Sequence, residues 1–123
     1  MKAERTAAAP GPLVQGFAGR GFRVGGVTYE GVLLTPEAAS AWAAPALAAL
    51  TEAAVAPLLA LSPAPEFILL GTGAASAFPS RAFVAALEER GIGVEAMDSR
   101  AAARTWGLLR GEGRWIAAAL LPL

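Results

Sequence analysis

With 123 residues, 55% of them hydrophobic, the chain is long enough for one domain to bury a core without staples. It has no cysteine and no histidine, which excludes disulfides, thiol nucleophiles, thiolate metal sites and the usual base near neutral pH. Ten basic and ten acidic residues cancel, so no long-range field draws in nucleic acid or an anionic membrane.

Residues 1–12 carry two basic groups but no apolar core ahead of Pro10, and Glu4 argues against a transit peptide. They read as a disordered arm, residues 13–123 as a single α/β domain, and the cytoplasm as its place. Nine of the ten basic residues are arginine and alanine is abundant, a coding bias that points to a bacterial genome.

Leu13 to Leu34 reads as antiparallel sheet: Phe22, Val24, Val27, Tyr29, Val32 and Leu34 alternate with polar or small residues. Gly25-Gly26 between Val24 and Val27 predicts a two-residue hairpin, whose type I′ turn needs positive φ twice. Thr35-Pro36 ends this run, and Trp42 lies in an alanine-rich connection. The stretch Ala38–Leu61 holds one charge, Glu52, and is long enough to span a bilayer. Half of it is alanine, however, and Pro45 and Pro57 interrupt it, so two short packed helical pieces are expected and no membrane span. Thr51 is the expected cap of the second piece, with Val55, Leu58 and Leu59 as its stripe. Ser62-Pro63-Ala64-Pro65 stops it.

Phe67-Ile68-Leu69-Leu70 has no polar face, as suits a strand covered on both sides, and it ends in Gly71-Thr72-Gly73. Ser80 then opens a helix with Phe83, Val84 and Leu87 on one face, and Gly91 closes it. Ile92–Met97 is the next strand. Asp98 or Ser99 caps a helix reaching about Gly111, with Ala102, Thr105, Trp106 and Leu109 as its buried seam. Arg114 to Leu121 closes the domain as an apolar, central strand. Strand–helix–strand with short links implies parallel pairing over residues 67–97, joined to the antiparallel front of the chain in a mixed sheet.

Several short motifs occur together: Gly21-Phe22-Arg23-Val24-Gly25-Gly26, Tyr29-Glu30-Gly31, Leu70-Gly71-Thr72-Gly73, Gly91-Ile92-Gly93-Val94-Glu95-Ala96-Met97-Asp98, Ala103-Arg104-Thr105 and Glu112-Gly113-Arg114. In order and spacing they resemble a small, largely uncharacterised family that includes a mitochondrial complex I assembly factor and an adipogenesis-associated protein. The resemblance runs from about residue 13 to the end. It implies a mixed, mostly parallel five-stranded central sheet with flanking helices and an additional N-terminal antiparallel β layer. It carries no assigned activity with it, since most members have none, and for the mitochondrial relative it implies assembly through protein contacts. One departure stands out: members tend to follow Arg-Thr with Tyr-Asn, whereas this chain has Trp106-Gly107.

Candidate chemistry gathers where parallel strands end. The candidate ligand or partner crevice comprises Gly71, Thr72, Gly73, Asp98, Arg104 and Thr105. Gly71-Thr72-Gly73 is either an anion cradle of bare amides or a tight structural turn; as a dinucleotide fingerprint it fails, because Ser76 holds the third glycine position. Asp98 either orients a ligand or caps the helix, and the cap is the plainer role. Arg100 and Arg104, one turn apart, either clamp an anion with Thr72 or form a solvated face. Glu112 and Arg114 are expected to pair locally. No cofactor, metal site or catalytic constellation is recognisable. The chain reads as a non-enzymatic protein-binding or assembly-type domain, its partner another protein or a second copy of itself. The alternative is a small anionic metabolite binder around Thr72, Asp98 and Arg104.

Overall fold

In the computed structural model, which describes residues 11–123, the strands form two sheets. The smaller is antiparallel, in the order β1 (Val14–Ala18), β2 (Gly21–Val24), β3 (Val27–Tyr29). Its second hairpin is the predicted one: Val24 pairs with Val27, and Gly25 and Gly26 take φ of 58° and 82°. The expected arm over residues 1–12 falls mainly outside the described residues. Its last residue is anchored, because the Pro12 carbonyl accepts the Trp106 indole N–H at 2.8 Å.

The larger sheet has five strands: β4 (Val32–Leu34), β5 (Ala39–Ala41), β6 (Phe67–Gly71), β7 (Gly93–Met97) and β8 (Ala117–Leu120), in the order β5-β4-β8-β6-β7. Its four neighbouring pairs divide evenly, β5–β4 and β4–β8 antiparallel, β8–β6 and β6–β7 parallel. β8 is therefore central, as its unbroken apolar run requires. β5 was not foreseen, since Ala39-Ser40-Ala41 has little intrinsic strand preference. It forms because Thr35 turns the chain back: its hydroxyl oxygen accepts the amides of Glu37 and Ala38 at 3.2 and 3.0 Å.

Strand periodicity divides the core into two layers. Leu33, Ile68, Leu70, Ala117 and Ala119 point to one side, against Trp42, α1 (Ala56–Leu59) and α2 (Arg81–Glu88). Val32, Leu34, Leu69, Ala118 and Leu120 point to the other, against α3 (Ser99–Gly111) and Phe22 and Val24 of the small sheet. All three alanines of β8 are fully buried, and their small side chains let both layers approach the sheet closely.

The helices follow their signals with two corrections, and a third concerns the turn after α3. Before α1 the chain makes a 3₁₀ turn at Glu52–Val55, and Thr51 precedes it without a side-chain capping bond. Ser80 does cap α2, accepting from the Phe83 amide at 3.1 Å. On α3 the buried residues are Ser99, Ala102, Ala103, Trp106 and Arg110, while Thr105 and Leu109 are only half-buried. The seam thus lies to one side of the expected one, because the small sheet as well as the large one covers this helix. Finally, Arg114 reaches Glu66 at 2.8 Å instead of pairing with Glu112. Among the described residues, no helix is long and apolar enough to cross a membrane.

Candidate functional site

Parallel pairing of β6 with β7 brings the two bends that follow them to one rim. Thr72 follows β6 and Asp98 follows β7, and the Thr72 amide donates to the Met97 carbonyl at 2.9 Å. The Thr72 hydroxyl lies 2.7 Å from the Ala75 carbonyl and 3.2 Å from that of Met97, and has one proton to give to either. Asp98 caps α3, its carboxylate accepting the Ala101 amide at 3.0 Å. The rim expected from the sequence is therefore present.

Ser99 closes it. This fully buried side chain accepts from the Gly73 amide at 2.9 Å and donates to the Leu121 carbonyl at 2.7 Å. Its own amide returns a bond to the Gly73 carbonyl at 2.8 Å, and the Leu121 amide donates to Gly71 at 3.0 Å. One hydroxyl thus fastens β6, α3 and the end of β8 together. Gly71 is glycine for the same reason: a Cβ there would stand 2.6 Å from Ser99 Oγ and 2.9 Å from both Ser99 Cα and Leu120 Cδ2. The bend offers no free pair of amides at Thr72 and Gly73, since both donate to protein acceptors.

The remaining predicted residues take no part in this knot. Thr105 is half-buried, with its hydroxyl 3.5 Å from Met97 Sδ. Arg104 is exposed and makes no hydrogen bond or ion pair to any described residue. Arg100 stacks its guanidinium 5.6 Å from the centre of the Phe17 ring on β1, so it faces the small sheet and not the rim. Arg110, buried deeper on α3, donates to the Arg114 carbonyl. Glu66 has its pKa lowered, chiefly by the hydrogen bond from the Arg114 guanidinium, whose own pKa is raised in return.

Sequence reasoning passed over the loop that leaves the rim. Phe78 stands 93% exposed there, and with Pro79, Arg81, Val84, Ala85 and Glu88 it lines an open groove of about 590 Å³ along α2. An aromatic residue in a run of small residues, outside any helical or strand periodicity, is the one signal that marked it. Among the described residues, Leu108 and Val27 are the other large apolar side chains that are more than half exposed, at 67% and 51%.

Residues 14–121 match the model of a family described as "Protein of unknown function (DUF498/DUF598)". The chain belongs to this family. Among its relatives is the NADH dehydrogenase [ubiquinone] 1 alpha subcomplex assembly factor 3 of Danio rerio, 31% identical over 94% of this chain and 67% of that protein. The human protein of the same name is 30% identical over 94% of this chain and 63% of its own length. The chain thus spans about two thirds of these assembly factors. An uncharacterized protein of Rhodobacter capsulatus is 34% identical, covering 89% of this chain and 84% of its own.

Among solved structures, a Bordetella parapertussis protein superposes with a TM-score of 0.81 at 32% identity, over 91% of this chain and 96% of that one. A Xanthomonas campestris protein gives 0.77 at 36% identity, over 98% and 92%. A Bordetella pertussis protein described as an Mth938-like domain gives 0.77 at 27%, over 99% and 91%. The DUF498/DUF598 fold is therefore shared across the five-stranded sheet, the added β layer and the helices. Trp106, where the family resemblance expects tyrosine, is wholly buried, so in this chain that position packs the core.

Proposed function

We propose that this protein is a non-enzymatic, cytoplasmic assembly-type domain that works by contacting other proteins, as an accessory to a respiratory NADH dehydrogenase. The observation that carries this reading is Phe78, a large apolar side chain held almost wholly in solvent beside an apolar groove on a regular helix. A single exposed apolar side chain is ordinary, but Phe78 lines one groove with Pro79, Val84 and Ala85, rimmed by Arg81 and Glu88, and an apolar patch with a polar rim marks a protein-contact site. The names of the assembly-factor relatives, aligned along nearly the whole chain, supply the kind of complex.

The metabolite-binding alternative has less behind it. The amides of Thr72 and Gly73, the Ser99 hydroxyl and the Asp98 carboxylate all have partners within the protein, and the exposed Arg104 bonds to none of them. An anion held by the Thr72 and Gly73 amides would have to displace these internal bonds. That exchange is unfavourable when the bonds are buried.

Capture with tagged protein from the native host tests the proposal. Subunits of the NADH dehydrogenase are expected among the retained proteins, and Phe78→Ser is expected to lose them. Retention of none of these subunits by the wild type would refute it.

A further inference from the structure

We propose that the outer face of α2 is also the surface through which two copies of this chain pair, antiparallel about a two-fold axis. The inference rests on reading the Phe78 face as a protein-contact surface. It adds the identity of one occupant.

The argument starts from spacing. Arg81 is the first residue of α2 and Glu88 the last, with Val84 and Ala85 between them, so all four fall on one stripe at i, i+3, i+4 and i+7. Phe83 and Leu87 occupy the opposite, buried face. The stripe is therefore a short apolar strip with a cation at one end and an anion at the other, about 10 Å apart at a rise of 1.5 Å per residue. Neither end is neutralised at home: Arg81 and Glu88 make no ion pair with any described residue, whereas nearby Arg90 is held by Glu52 at 2.6 Å.

A surface of this pattern complements itself. Turned by a two-fold axis, the stripe sets each Arg81 against Glu88 of the second copy, twice over, with Val84 and Ala85 meeting at the centre. A parallel arrangement would set like charges against each other at both ends. Ala85 lets the two helices approach, and Phe78 gains a covered position along the same groove. One eight-residue helix with a flanking loop covers less than the roughly 800 Å² per partner of a standard interface, so the pairing is a weak, transient one.

Sedimentation equilibrium of the purified full chain over roughly 1 μM to 1 mM tests this. The wild type is expected to pass from monomer to dimer within that range. Arg81→Glu and Glu88→Arg are each expected to weaken the pairing by about tenfold or more, since each sets like charges together twice. The double exchange R81E/E88R is expected to restore it. Both residues are exposed, and unchanged circular dichroism and unfolding midpoints confirm that the variants are folded. A wild type that stays monomeric throughout, single exchanges without effect, or a double exchange that fails to restore pairing would each overturn the proposal. A monomer that still captures the dehydrogenase subunits would overturn the pairing and leave the assembly reading standing; one that captures nothing would overturn both.

Discussion

Replacing Ser99 by alanine removes one oxygen and unfastens three elements. The side chain is fully buried, so water does not take its place. The Gly73 amide loses its acceptor at 2.9 Å and the Leu121 carbonyl loses its donor at 2.7 Å. A buried polar group left unsatisfied costs about 1–3 kcal/mol, and two such groups, one of them a carbonyl with a second lone pair, give about 2–4 kcal/mol. For a domain of this size that is a fall of about 10 °C in Tm. The comparison is Asp98→Ala, which removes only a half-buried helix cap and costs about 1 kcal/mol. Urea unfolding of the three proteins, with m unchanged, measures both. A Ser99→Ala variant within about 0.5 kcal/mol of wild type, or less affected than Asp98→Ala, would refute the claim that this hydroxyl holds the rim closed.

Three other outcomes follow from the same packing. Gly71→Ala forces a methyl to within 2.6 Å of Ser99 Oγ and 2.9 Å of Ser99 Cα, and is expected to cost at least about 1–3 kcal/mol by overpacking, read as a lower urea midpoint. Gly107→Ala meets nothing within 4 Å inside a regular helix, and is expected to raise stability by about 0.5–1 kcal/mol in the same assay. Glu66 has its pKa lowered from the usual 4.5 by Arg114, so its pair stabilises the fold fully above that value and loses the contribution as pH falls through the depressed folded value. Because the pair is exposed the effect is small, and Glu66→Gln is expected to flatten, not abolish, the decline of the urea midpoint with falling pH below 4.5.

What the sequence discloses about this fold is mostly local. Gly25-Gly26 specifies its hairpin because few other residues accept positive φ twice, and Ser80 and Asp98 each sit where a helix needs a side-chain acceptor. The apolar runs at 67–70 and 116–121 mark strands covered on both faces. The adjacency of Thr72 and Asp98 follows from strand–helix–strand order alone. What remained hidden depends on partners distant in sequence. β5 exists because β4 offers it an edge, and Arg114 chooses Glu66, 48 positions away, over the neighbouring Glu112. Ser99 looked like an alternative cap; its actual role needs the end of β8 to arrive beside it. Phe78 shows in the sequence only as an aromatic residue outside any periodicity, and that does not disclose its exposure, since an isolated phenylalanine is more often buried.

The Phe78 face is proposed to join this protein to others during assembly of a respiratory NADH dehydrogenase. Complementation of a deletion strain, scored as the amount of intact dehydrogenase on native gels, addresses it most directly. Wild-type protein is expected to restore the complex, and Phe78→Ser, present at the same level and equally folded, is expected not to. Full restoration by Phe78→Ser, or a deletion strain that assembles the complex normally, would contradict the account.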